Sequence, residues 1–272
     1  MQYNEFPPCD LLKYHVKCIW VLEAPADSQP DFEKIFPDGS AELIFHFGDP
    51  FESRAGNKIT IQDKLFVYGQ ISRYIELRPS GVAGVLGVRF KPSGLAAFSD
   101  ASQSDLTDKV WPVAEVFRNP GSDMPEKLSG TSSIREKIAI MEDFLVSNLA
   151  SDPKDFDAEI LRNLNYLAAR FSSSANNSLV SEIAASENIS RRELERRFKY
   201  YVGLSPKQLI KIARFQKVLN KSFKAESLTE LAYLCGYYDQ SHFIRDFKEF
   251  AGITPAAFLK QPTTLTEIFY DN

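Results

Sequence analysis

Cysteine is scarce in this chain: three residues in 272, at positions 9, 18 and 235. An odd number, in no metal-ligand spacing, excludes a disulfide framework and suits a reducing compartment, with Cys235 a small core residue at a helix end. Histidine is equally scarce, and His15 and His46 are the only two in the N-terminal half, with no H-x-H or H-x-x-x-H spacing. A metal site would have to recruit carboxylates such as Glu42, so His46 reads more simply as a strand residue in or beside a core, and no metal is expected. No apolar run approaches the ~18 residues of a membrane span. The start, Met1 to Cys18, carries charges and prolines where the apolar stretch of a leader would lie, so a cytoplasmic protein without a membrane partner is expected. No G-x-S-x-G, phosphate-binding loop or dinucleotide fingerprint occurs, which argues against an enzyme and implies no cofactor.

What remains is an ordinary composition, 44% apolar and 25% charged, on a length sufficient for two domains. The net charge of −4 conceals a segregation: residues 175–260 hold 14 Lys and Arg against 9 Asp and Glu, a surplus of +5, whereas the rest holds 18 against 27, or −9. A basic C-terminal part beside an acidic N-terminal part suits a nucleic-acid-binding module joined to a half that avoids nucleic acid.

The two halves also differ in pattern. Up to about Ser99 the chain reads as short strands: Tyr14 to Leu22, Ala41 to Phe47 after the Pro37-Asp38-Gly39 turn, Lys58 to Gln62, Leu65 to Gln70, Arg73 to Arg78 and Val82 to Phe90. With no helices between them, they predict an antiparallel or mixed sheet or a partial barrel. Lys91 to Gly94 reads as a turn, and Leu95 to Phe98 as the start of a short helix. Helical spacing appears at Val110 to Phe117 and at Ser133 to Leu149, whose apolar face is Ile134, Ile138, Met141, Phe144, Leu145 and Leu149. That helix could pack on the sheet or pair with its copy in a second subunit. The stretch between, Asn119 to Ser133, reads as a Gly/Pro/Ser-rich loop outside any core. These features predict an α+β chain: a β-rich regulatory or dimerisation domain over 1–150, a linker at 151–156, a helical domain over 157–260 and a tail over 261–272. Ser151 to Asp155 is the linker stretch, Asp157 to Phe171 the first helix of the second domain, and Ser172 to Asn177 a polar break.

The C-terminal domain contains a repeat. Asn177 to Pro206 and Glu226 to Pro255 superimpose at a constant offset of 49, matching Ser178 with Ser227, Ile183 with Ala232, Leu194 with Phe243, Phe198 with Phe247, Lys199 with Lys248, Gly203 with Gly252 and Pro206 with Pro255. Each unit reads as helix, tight turn and second helix, which is the helix-turn-helix pattern. In the second unit Ser227 and Glu230 form a capping box, Gly236 ends the first helix and Asp239 caps the next. In the first, Glu187 stands at the place of Gly236 with Asn188 beside it, and Ser190 with Glu193 caps the second helix. A connecting helix starts at Ser205-Pro206 and runs to about Phe223.

The second helices are two-faced. Leu194, Phe198 and Tyr201 form a buried stripe that leaves Arg191, Arg192, Glu195, Arg196 and Lys199 outward; Phe243, Phe247 and Phe250 leave Gln240, Ser241, Ile244, Arg245 and Lys248 outward. A helix of this kind fits the major groove, where Arg pairs with guanine, Gln with adenine and Glu accepts from cytosine, while Lys199 and Lys248 suit phosphates. A polar helix face is more often a mere solvated surface; duplication, caps and local basic charge together favour DNA.

The second unit, with Gly236, Tyr237, Asp239, Ser241, Phe243, Arg245, Phe247, Lys248, Gly252, Thr254 and Pro255, closely resembles the signature of the AraC/XylS family of bacterial transcription regulators, G-F-x-D-x-S-x-F-x-R-x-F-K-x-x-x-G-x-(S/T)-P. The first unit resembles the family's other unit through Ile183, Ala184, Ser190, Leu194, Arg197, Phe198, Lys199, Gly203, Ser205 and Pro206. The resemblance covers residues 157–260 and implies a seven-helix domain that binds double-stranded promoter DNA, with bases read by Arg192, Glu195 and Arg196 in one unit and Gln240, Ser241 and Arg245 in the other. It implies RNA polymerase as a partner if the protein is an activator, and an N-terminal domain that senses a small molecule, forms a homodimer, or both. Trp20, Pro37 to Gly39 and Gly84 to Leu95 look like the β-rich domain of one branch of these regulators. Within that half Trp20, Phe36, Phe45, Phe47, Phe66, Tyr68 and Phe90 either line an apolar pocket or simply fill a core, and Arg89 is either an effector's partner or a salt-bridged structural residue. A small-molecule-processing enzyme or sensor, with the DNA module secondary, is the competing reading.

Overall fold

The computed structural model describes residues 1–26, 31–149, 158–173, 179–222, 228–237 and 239–260. The N-terminal half contains, among the described residues, ten strands in two antiparallel sheets. The six-stranded sheet has the order β1 (Gln2–Phe6), β2 (Val16–Ala24), β9 (Ala83–Phe90), β4 (Glu42–His46), β7 (Leu65–Tyr68) and β10 (Val110–Trp111); the four-stranded sheet has the order β3 (Glu33–Ile35), β8 (Ile75–Pro79), β5 (Phe51–Ala55) and β6 (Lys58–Ile61). The strands central to the larger sheet are buried on both faces, so alternation sorts their apolar residues into two cores. Ile19 and Val21 of β2, Leu43 and Phe45 of β4 and Leu86, Val88 and Phe90 of β9 pack with Met124, Leu128, Met141, Phe144 and Leu145 from the helical cover. The alternate residues Cys18, Trp20, Leu22, Ile44 and Val85 face the smaller sheet and meet Phe51 and Phe66. Gly87 stands opposite Trp20, where any Cβ would come within 2.1 Å of the indole, so the ring needs a glycine there.

The cover comprises a 3-10 turn (Gly94–Ala97), α1 (Gln103–Leu106), α2 (Val113–Val116), α3 (Met124–Ser129) and α4 (Ile134–Asn148), the last capped by Ser133. Two readings need correction. Val110 and Trp111 are a strand paired with β7, because the helix begins only beyond Pro112. The stretch after Asn119 is not purely loop: α3 lies inside it with Met124 and Leu128 buried in the core, two apolar residues at helical spacing that the neighbouring Gly, Pro and Ser obscured.

Seven helices follow among the described residues: α5 (Ala158–Ser173), α6 (Leu179–Ser186), α7 (Arg191–Tyr201), α8 (Pro206–Ser222), α9 (Leu228–Leu234), α10 (Gln240–Ala251) and α11 (Pro255–Phe258). Helix α5 continues through Ser172 and Ser173, which shortens the polar break; the linker stretch, the Ser227 cap and the tail lie outside the described residues. Leu194, Phe198, Phe243, Phe247 and Phe250 converge on Ile210, Phe215 and Leu219 of α8, so both units share one core. That core also takes in Phe36 from the N-terminal half.

Candidate nucleic-acid interface and internal cavity

Each helix-turn-helix ends its first helix with a residue in the left-handed region, Asn188 at φ 55° and Gly236 at φ 80°. The backbone bonds correspond: Ile189 N–H donates to Ala184 O and Tyr237 N–H to Ala232 O, both at 3.0 Å. Helix and turn therefore superimpose at an offset of 48, while the caps Ser190 and Asp239 and the helices they start keep 49. The repeat does slip, by one residue, between Tyr237 and Asp239. The reason is conformational: only Asn188, not Glu187, readily takes the left-handed geometry that Gly236 supplies.

The second helices bury the expected stripes, Tyr201 less fully than the rest, and expose Arg191, Arg192, Glu195, Arg196 and Lys199 on α7 and Gln240, Ser241, Arg245 and Lys248 on α10. Ile244 is the exception, half-buried against the core instead of outward. Arg192, Lys199, Arg245 and Lys248 have no acidic partner among the described residues. Arg196 is held: with Arg197 it donates to Glu193 at 2.8 Å, and these two guanidiniums pull the Glu193 carboxyl down to about 2. Arg191 donates to Ser181 of α6. Sequence reasoning missed Asp246, whose fully buried carboxylate lies 3.1 Å from Lys211 of α8 and 3.4 Å from His242 and braces α10 on the connecting helix. An acid within the phenylalanine stripe of α10 was the available signal.

The N-terminal half is docked on this domain at several points. Tyr74 N–H donates to Phe250 O at 3.0 Å, Lys34 Nζ to Ala251 O at 2.9 Å, Gln216 Nε2 to Pro37 O and Thr107 Oγ1 to Gly203 O at 3.2 Å. Helix α1 packs on the C-terminal end of α7, leaving its polar face open.

Between the two sheets lies a cavity of about 90 Å³. Of the aromatics singled out from sequence, Trp20, Phe36, Phe66 and Tyr68 line it, whereas Phe45 and Phe90 belong to the core on the other face and Phe47 packs beside that core. Arg89 is a salt-bridged residue: its Nε lies 2.8 Å from Glu42 Oε1 and 3.4 Å from Asp38 Oδ2, and one terminal nitrogen 3.7 Å from Glu5. His46, 1% exposed, lies between Phe51 and Phe66 and pairs with Gln62 at 3.1 Å; burial lowers its pKa to about 4. Among the described residues no group of three or more His, Cys, Asp and Glu could hold a metal ion, and no helix is long and apolar enough to cross a membrane.

Residues 183–261 match the family described as a helix-turn-helix domain, and residues 4–112 match a domain of unknown function (DUF6597). The C-terminal part is thus a helix-turn-helix domain of the kind that AraC-type transcription regulators carry. Its relatives include the HTH-type regulator GbdR of Pseudomonas aeruginosa, 33% identical over 79 residues that make up 28% of this chain and 21% of that protein. MtrA of Neisseria gonorrhoeae is 34% identical over 85 residues, 30% and 28% of the two chains, and the activator RhaS of Klebsiella pneumoniae 31% over 103, 38% and 36%. The matches thus span about a fifth to a third of these relatives' lengths. Among solved structures, ToxT of Vibrio cholerae aligns over 95% of this chain and 98% of its own at 12% identity, with a TM-score of 0.48.

Proposed function

We propose that the protein is a cytoplasmic bacterial regulator, and in one form an activator, that binds double-stranded promoter DNA through residues 157–260 while residues 1–150 bind a small-molecule effector, form a homodimer, or both. The observation that carries this reading is the pair of helices α7 and α10, anchored on α8 by the same apolar stripe and presenting uncovered polar faces. Arg192, Glu195 and Arg196 of the first and Gln240, Ser241 and Arg245 of the second would meet base edges; Arg191 would add a further DNA contact, and Lys199 and Lys248 would meet phosphates. Two such helices on one rigid connector suit successive major-groove segments, about 34 Å apart on one face of B-DNA. Arg196 would have to leave Glu193 to reach a base. As an activator it would also engage RNA polymerase. The cavity supports the sensing role, and the segment Lys34 to Gly39, which touches both the cavity and α8, supports a link between effector and DNA.

Footprinting on the gene's own upstream region tests the reading: wild type is expected to protect a defined sequence, and Arg192→Ala and Arg245→Ala to lose it. Undiminished protection by both variants would remove α7 and α10 as the readers.

A further inference from the structure

The cavity between the sheets has a charge imbalance at one end. Glu42 Oε1 accepts twice, from Arg89 Nε at 2.8 Å and Trp20 Nε1 at 3.1 Å, and its Oε2 takes no hydrogen bond among the described residues. Asp38 stands on the same guanidinium, and Glu5 adds a third carboxylate from outside the cavity wall. Among the described residues these three acids thus share the Arg89 guanidinium. Along the same face of β4 lies His46, whose buried Nδ1 has no partner. Because Gln62 Oε1 can only accept, His46 Nε2 carries the proton toward it and Nδ1 is left as an acceptor. The His46 ring, with its pKa lowered to about 4, adds no positive charge at neutral pH. The remaining wall is largely apolar and aromatic, with Trp20, Phe36, Phe51 and Phe66 prominent.

These features select a ligand class. An anion would meet two carboxylates and a guanidinium already engaged. A neutral apolar molecule would leave the buried His46 Nδ1 unpaired and strip water from the half-buried Glu42 carboxylate, both of which are costly. A protonated amine offers N–H donors to the carboxylate, and its charge is attracted by aromatic faces. We propose that the cavity is the binding site for a small aliphatic ammonium ion, held by Glu42 and Asp38 against the aromatic wall. An engineered apolar cavity of about 150 Å³ accepts benzene, so the present one suits a molecule of about six non-hydrogen atoms or fewer. The proposal rests on the reading that this half senses a small molecule.

The test compares three probes of one shape, butylammonium, 1-butanol and butyrate, at constant ionic strength on the full chain, by calorimetry and thermal shift. Butylammonium alone should bind and raise Tm, and Glu42→Gln should weaken it at least tenfold. Asp38→Asn serves as a second variant, and Trp20 fluorescence in the wild type reports occupancy without any mutation. Binding of butyrate or butanol as tight as that of butylammonium, unchanged affinity in both variants, or no binding of any probe would overturn the proposal. Footprinting in parallel separates the two levels: specific DNA protection with no ammonium binding removes only this inference, whereas absent protection removes the regulator reading itself.

Discussion

The ring of Phe36 meets the ring of Phe215 edge-on, with centroids 5.5 Å apart, across the boundary between the segment that follows β3 in the N-terminal half and the connecting helix α8 of the helix-turn-helix domain. Phe36 also touches Phe258 at 5.9 Å, is 2% exposed, and lines the cavity between the sheets. A single side chain therefore belongs at once to the wall of one half and the core of the other. A molecule in the cavity and the packing around α8 would share this ring, and a shift at one end would reach the other because packed cores resist continuous deformation.

Truncating that ring should be expensive. Phe36→Ala is expected to destabilise the protein by about 3–5 kcal/mol, the usual range for a buried phenylalanine, and Phe36→Leu by clearly less. Urea unfolding followed by circular dichroism measures both. The residues of α7 and α10 proposed to meet DNA lie exposed on the faces away from the shared core, so Phe36→Ala should retain DNA binding at low temperature while losing any response to a cavity ligand. A variant that kept that response would exclude Phe36 as the link.

Gly252 offers an independent probe of the docking. It ends α10 at φ 70°, and a Cβ there would lie 2.3 Å from Cε1 of Tyr74, a residue fixed by its own N–H bond to Phe250 O. Gly252→Ala thus combines left-handed strain of about 1–2 kcal/mol with a collision. Adding Tyr74→Ala should relieve the collision and leave the strain. A double-mutant cycle measured by urea unfolding should therefore show a coupling of about 0.5–3 kcal/mol, and strict additivity would mean that the two residues do not meet in solution.

Much of this arrangement was legible in the sequence, for identifiable reasons. Periodicity located α4, and periodicity with caps located α7, α8 and α10, since Ser190, Ser205 and Asp239 each accept a backbone N–H as their positions require. Central strands such as β4 and β9 were visible because residues buried on both faces make apolar runs. Strands β1, β3 and β5 escaped because edge or half-exposed strands carry little apolar signal. The one-residue slip between Tyr237 and Asp239 was invisible to a fixed-offset alignment, and only the left-handed residues Asn188 and Gly236 disclosed it. Least legible was the membership of Phe36 in the distant core: the residue sits before a Pro-Asp-Gly turn, and nothing local says what lies beyond it.

Arg245 and Lys248 occupy adjacent turns of α10 and are expected to fail differently when removed. Arg245→Ala should cost about 1–3 kcal/mol at one base position and relax the preference there. Lys248→Ala should weaken binding to all sequences alike and lower the salt slope by about one. Gel shifts on matched and single-mismatch sites across a salt series separate the two. Identical profiles for both variants would mean that the helix touches only phosphates.

The two histidines of the N-terminal half, His46 buried and His15 half-buried, set the final expectation, a loss of stability on mild acidification. Burial lowers His46 from 6.5 to about 4, and burial with the Lys91 and Arg162 charges does the same to His15. Between these values the unfolded chain binds more protons than the folded one, so stability falls as the pH drops from about 6.5 toward 4 and this contribution levels off below that. At 1.36 kcal/mol per unit, His46 alone accounts for roughly 3 kcal/mol. Carboxylates titrate in the same range, so the decisive quantity is the difference between wild type and His46→Gln: urea unfolding at pH 7 and pH 4.5 should show a shallower loss in the variant. Parallel losses would mean that His46 is already charged, or reaches water, in the folded protein.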